Sequence, residues 1–151
     1  MSVDMPAAVK AKTFDQLDVE WNYGEGTVWC YMNPRPRPCF TPELLGEILR
    51  LPKHLQRLGI DRSVAAEKPC FLVYGSRVKG TFNLGGDLNL FRSLIDRRDR
   101  QGLEDYARAC IDVSHQVSTG FGLPLTTISL IQGAALGGGM EGALAANLIV
   151  A

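Results

Sequence analysis

The order of apolar and polar positions divides this chain into alternating extended and helical segments. Leu17, Val19 and Trp21 alternate with polar neighbours just after Phe14, the period-two pattern of a half-buried strand. Asn22-Tyr23-Gly24-Glu25-Gly26 reads as a turn, and Thr27-Val28-Trp29-Cys30-Tyr31-Met32 is rich in β-branched and aromatic residues. The two runs therefore predict a β-hairpin. Asn33-Pro34-Arg35-Pro36-Arg37-Pro38 breaks regular structure, because proline lacks an N–H and fixes φ. Thr41-Pro42-Glu43 is a helix start, with threonine at the cap and proline in the first turn. Leu44, Leu45, Ile48, Leu49, Leu55 and Leu58 follow at helical spacing, with Pro52 as an expected kink and Gly59 as the end.

The second half continues the alternation. Phe71-Leu72-Val73-Tyr74 is a short apolar run that suits a buried strand, and residues 75–83 read as a loop. Asp87 to about Ser118 is amphipathic, with a charged break at Asp96–Arg100. Residues 125–131 are a strand by composition, Gln132 to Gly139 a glycine-rich loop, Met140 to Asn147 a short helix and Leu148 to Ala151 a further strand. Strands that alternate with helices define an α/β chain.

Composition narrows the function classes. Apolar residues make up 46% of the 151 residues and charged residues 21%, which excludes a disordered chain. Sixteen basic and sixteen acidic residues cancel, so nothing in the charge balance calls for nucleic acid. Cys30, Cys39, Cys70 and Cys110 form no C-x-x-C pair, and neither histidine stands at zinc-site spacing from them. They read as reduced, mostly packed thiols, with no metal and no cofactor. Residues 1–12 read as a flexible tail without the apolar core of a signal peptide, and no apolar run could span a bilayer, so a cytoplasmic protein is expected. The final Asn147-Leu148-Ile149-Val150-Ala151 reads as a buried strand cut short, the front part of a longer protein.

Two glycine-rich sites carry the candidate chemistry. In Leu84-Gly85-Gly86-Asp87-Leu88, glycines permit a sharp turn and Asp87 can cap the next helix; taken alone, the stretch is better read as a plain strand–turn–helix corner. The stretch is no cyclase GG[DE]EF signature, because the second acid and the phenylalanine are missing. The other site runs from Gly133 through Gly137-Gly138-Gly139-Met140-Glu141-Gly142, follows a strand and opens a helix whose first N–H groups could bind an oxyanion. Gly137, Gly139 and Gly142 match the dinucleotide fingerprint formally, but they stand too far from the strand end, and Glu141 would face the pyrophosphate. Met140, Ala143, Leu144, Ala145 and Ala146 surround Glu141, so its helix is expected to be buried. Glu141 is then either a general acid/base or a residue on the one wet face.

Taken in this order, the two sites resemble the enoyl-CoA hydratase (crotonase) superfamily. Trp29-Cys30-Tyr31-Met32, Phe82 through Leu88, Arg98-Asp99-Arg100, Tyr106-Ala107-Arg108, Gln132 through Glu141 and Ile149-Val150-Ala151 resemble its branch of diffusible signal factor synthases. The resemblance implies a spiral of ββα units, of which residues 13–151 would be the N-terminal portion. It implies an oxyanion hole made by the backbone N–H groups of Leu84 and Gly138, with Gly85, Gly86, Asp87, Gly137 and Gly139 in support. Glu141 matches the first of two catalytic glutamates, the second being expected beyond Ala151; Leu136 and Met140 would border the acyl pocket. The implied reaction dehydrates a 3-hydroxyacyl thioester to a 2-enoyl thioester, with hydrolysis to a cis-2-unsaturated acid. The implied partners are an acyl carrier protein or CoA thioester, further copies in a trimer-based oligomer, and a signal receptor. The corner Asp96-Arg97-Arg98-Asp99-Arg100 is a solvated face or, with Arg92 and Arg108, a dock for an acidic carrier protein.

Overall fold

A computed structural model describes residues 13–60 and 70–151; the tail expected at residues 1–12 lies outside them. Strands β1 (Leu17–Asn22) and β2 (Thr27–Met32) form the expected antiparallel hairpin, with Leu17 opposite Met32 and Asn22 opposite Thr27. Helix α1 (Pro42–Arg57) starts where Thr41 accepts a hydrogen bond from Leu44 N–H, and it runs through Pro52 without ending. Strand β3 (Phe71–Ser76) lies parallel to β2, and β5 (Thr126–Leu130) lies parallel to β3. Strand β7 (Leu148–Val150) completes a sheet in the order β1-β2-β3-β5-β7.

The amphipathic stretch divides into α2 (Leu88–Asp96) and α3 (Arg100–Ser118). The break has a local cause: Arg98 takes a positive φ of 55°, and Asp99 caps α3 through Gly102 N–H. Arg92 pairs with Asp96 and Arg100 with Glu104, so part of the basic corner is neutralised within its own helices. Leu44, Leu45, Ile48, Leu51 and Leu55 of α1 and Tyr106, Val113 and Val117 of α3 pack on Val28, Cys30, Leu72 and Tyr74 of the sheet. The buried carboxylate of Glu47 accepts the N–H groups of Asp15 and Gln16, each at 2.8 Å, and so fastens the entry of the chain to α1.

Three expectations are corrected. Residues 80–83 and 133–135 are not loop: β4 (Gly80–Asn83) and β6 (Gly133–Ala135) pair in parallel as a second, two-stranded sheet. They are short and carry no alternation, and their partners lie about fifty residues apart, so no local pattern announces them. Helix α4 (Gly138–Leu144) is not buried; Gly139 and Ala143 face inward while Leu144 is 61% exposed. Strand β7 is not a buried strand either: it occupies a sheet edge, and Leu148, Ile149 and Val150 are all exposed. The four cysteines are free thiols, three of them buried.

Burial also sets an alkaline limit. Desolvation, with Asp18 and Glu47 nearby, pushes the Cys30 thiol from 9.0 up to about 12. Burial likewise pushes the Tyr74 phenol from 10.0 up to about 12. Both groups keep their protons in the folded chain at a pH where the unfolded chain releases them. Stability is therefore expected to fall as pH rises above about 9 and to go on falling to about 12. Urea unfolding under reducing conditions between about pH 8 and pH 11 checks this: the midpoint should drop with pH, and less steeply in Cys30→Val.

Candidate active site

The two glycine-rich sites meet at the ends of β4 and β6. Asn83 closes β4 fully buried; its side-chain oxygen accepts Gly85 N–H at 2.8 Å, and its backbone oxygen accepts Leu136 N–H at 3.0 Å. Gly85 then turns with φ 91°, and Asp87 caps α2 by accepting Leu90 N–H while pairing with Arg37 at 2.6 Å. On the other side Gly137, at φ 48°, turns the chain from β6 into α4. A Cβ on Gly139 would lie 2.0 Å from Asn83 O, and one on Gly85 would lie 2.9 Å from Gly138 N. Backbone therefore rests directly on backbone, an approach that only glycine allows.

The other end of α4 is held by side chains from the large sheet. Tyr74 donates its hydroxyl hydrogen to Gly142 O, and Ser129 donates to Ala143 O at 2.8 Å. These bonds satisfy carbonyls that a helix end leaves free.

One apolar cavity of about 380 Å³ opens at this junction and runs between α1, α3 and the sheet. Gly86, Gly138 and Glu141 lie on its wall with Phe91 and Tyr106, and its deeper lining includes Cys30, Met32 and Leu72. Glu141 is exposed and also borders an open groove with Cys110, Ser114 and His115. Among the described residues, no cluster of histidine, cysteine, aspartate or glutamate could hold a metal ion.

The expected site residues divide in the structure. Gly138 and Glu141 stand on the cavity wall, and Gly85, Asp87, Gly137 and Gly139 build its frame. Leu84 does not line the cavity, and its N–H is already committed to Pro38 O at 2.7 Å. Two residues on lies Gly86; neither Gly86 N–H nor Gly138 N–H donates to a group among the described residues. A Cβ on Gly138 would stand 3.7 Å from Gly86 N, so the two amides are neighbours. Leu136 and Met140 are exposed, and neither lines this cavity. The sequence reading missed Tyr106, Tyr74 and Ser129 as parts of the frame. It also missed the proline-rich strap, whose Pro38 and Phe40 bond to the first glycine site; prolines advertise only a break in regular structure.

Two free amides beside a carboxylate at the mouth of an apolar cavity suit an activated acyl group. The amides take up charge on a carbonyl oxygen, the cavity holds a hydrocarbon tail, and the carboxylate moves a proton. The fold agrees with this class. The chain matches DspI of Pseudomonas aeruginosa with a TM-score of 0.71 at 26% identity, covering 93% of this chain and 52% of DspI. It matches human mitochondrial delta3-delta2-enoyl-CoA isomerase with a TM-score of 0.70 at 23% identity, covering 89% of this chain and 46% of that one. It matches enoyl-CoA hydratase from Bacillus halodurans with a TM-score of 0.73 at 17% identity, covering 89% and 49%. The chain thus spans about half the length of these structures. No family model matches the sequence, and no curated protein matches it. The architecture is that of the enoyl-CoA hydratase/isomerase (crotonase) superfamily, represented here by part of the fold.

Proposed function

We propose that the protein dehydrates a 3-hydroxyacyl thioester, carried on acyl carrier protein, to the 2-enoyl thioester and hydrolyses it to a cis-2-unsaturated fatty acid that serves as a signal. The reading is carried by one observation: the unengaged N–H groups of Gly86 and Gly138 and the carboxylate of Glu141 share the wall of one apolar cavity. Gly86 takes the place expected for Leu84, whose amide is occupied by Pro38 O.

In this scheme the thioester carbonyl accepts both amides, which stabilise the enolate formed when Glu141 removes a Cα proton. In other enzymes one such donor is worth roughly 3–4 kcal/mol of transition-state stabilisation. The enolate electrons form the Cα–Cβ double bond as the 3-hydroxyl leaves, protonated by a second acid, as water. In the hydrolytic step the same amides hold the tetrahedral oxyanion while a carboxylate activates water. Assembly into a trimer-based oligomer and delivery of the signal to a receptor belong to the same reading. Exposed Leu136, Leu144 and Leu148–Val150 supply apolar surface that association would cover.

The test is incubation of the native protein with 3-hydroxyacyl carrier protein and, separately, 3-hydroxyacyl-CoA, with products read by mass spectrometry. Loss of water followed by release of free unsaturated acid from the carrier is the expected result. Turnover of CoA thioesters alone, without free acid, would mark a plain enoyl-CoA hydratase or isomerase. No turnover of either would mark a binding partner without catalysis.

A further inference from the structure

We infer that Tyr106 is a positioning residue: its hydroxyl locks the peptide planes on either side of Gly86 so that Gly86 N–H faces the cavity. The inference rests on the oxyanion reading above and adds to it the device that aims the donor.

The geometry is a closed set of hydrogen bonds. Tyr106, in the middle of α3, donates its hydroxyl hydrogen to Phe40 O at 2.5 Å and accepts Asp87 N–H at 3.0 Å. Phe40 N–H in turn donates to Gly85 O at 2.8 Å. Gly85 O and Gly86 N–H belong to one trans peptide and must point in opposite directions. Fixing that oxygen on Phe40 therefore turns Gly86 N–H the other way, onto the wall that Gly86 shares with Gly138. The next peptide contains Gly86 O and Asp87 N–H, and Tyr106 fixes it in the same manner. A glycine flanked by two peptides could otherwise adopt many orientations.

The surroundings keep this bolt in place. Tyr106 is buried, and its ring meets Phe91 edge to face at a centroid distance of 5.0 Å. Burial holds the phenol well above its ordinary pKa, so it stays protonated and can donate and accept at once. Asp87 is tied a second time by Arg37 at 2.6 Å. Loss of the hydroxyl alone would leave the ring packed, the strap attached and Phe40 still bridged to Gly86 through the backbone, but would remove the side-chain bond that Asp87 N–H and Phe40 O share.

The experiment is Tyr106→Phe in the native protein, read in three ways. A misaimed donor should lower kcat by about tenfold or more, up to the roughly 10²–10³ for loss of a whole donor, while KM stays within about twofold. The infrared stretch of a bound thioester labelled with carbon-13 at its carbonyl should move back toward its solution position. Hydrogen exchange of the Asp87 amide should accelerate at least about tenfold, with the α3 amides unchanged, which also reports that the variant is folded. Unchanged Asp87 exchange, or a stretch and kcat equal to wild type, would overturn the assignment. So would equal losses in kcat and affinity that follow a general fall in stability. If the wild-type protein itself leaves the stretch at its solution position, the oxyanion reading fails, and this assignment fails with it.

Discussion

Glu141→Gln is expected to lower kcat on a 3-hydroxyacyl thioester by a factor of about 10²–10⁴, the contribution usual for a positioned acid/base group. The substitution preserves shape and removes only the ability to take a proton. It should not disturb the fold, because Glu141 is exposed and its backbone bonds lie within α4, from Glu141 N–H to Gly137 O and from Ala145 N–H to Glu141 O. The melting temperature should therefore stay near wild type, and calorimetric affinity for a non-reacting acyl thioester should be nearly unchanged. A variant that keeps activity within a few-fold of wild type would remove Glu141 from the chemistry and leave a binding protein with an unused carboxylate.

The second large effect belongs to Gly139. In Gly139→Ala the new methyl would lie 2.0 Å from Asn83 O and 2.7 Å from Asn83 C, both backbone atoms at the end of β4. Neither can rotate aside, so β4 and α4 must separate. The cost should reach or exceed about 3 kcal/mol, the upper end of ordinary overpacking. Because the same movement parts Gly86 from Gly138, activity should vanish even in the fraction that folds. Gly59→Ala is the matched comparison: Gly59 has φ 84° with nothing within 4 Å of its would-be Cβ. It should cost only the backbone strain of about 1–2 kcal/mol and leave kcat intact. Denaturant midpoints together with kcat for the two variants decide the matter. Similar losses in both would mean that the approach of Gly139 to Asn83 relaxes at little cost, because Gly139, unlike Gly59, has no positive φ to explain a loss.

The two substitutions show different kinds of legibility. Glu141 could be singled out from its neighbours, since a lone carboxylate in an apolar helical stretch stands out in a list of residues. Its exposure could not, because burial depends on which distant elements pack on α4, and Met140 and Leu144 are left uncovered. Gly139 could be named as one glycine among several; that it rests on Asn83 could not. The choice between Leu84 and Gly86 was also beyond local pattern, since it turns on whether Pro38 O reaches one amide and Phe40 N–H the carbonyl two residues before Asp87. Tyr106 stood in the sequence only as part of the stretch Tyr106-Ala107-Arg108 within an amphipathic region, and only the fold brings its hydroxyl between two distant segments.

What the sequence determined by itself was local. Alternation placed the β1–β2 hairpin, helical spacing and the Thr41 cap placed α1, Asp87 marked the start of α2, and the charged stretch Asp96–Arg100 marked the break before α3. These signals act over one or two turns, so they survive without knowledge of the rest of the chain. The tertiary structure alone decided which amides are free, which are spent and which side chains hold them. Each of those outcomes is a hydrogen bond or close approach between residues dozens of positions apart, such as Leu84 with Pro38, Tyr106 with Phe40 and Gly139 with Asn83. A backbone N–H is the same chemical group at every position except proline, and only folding gives it a direction.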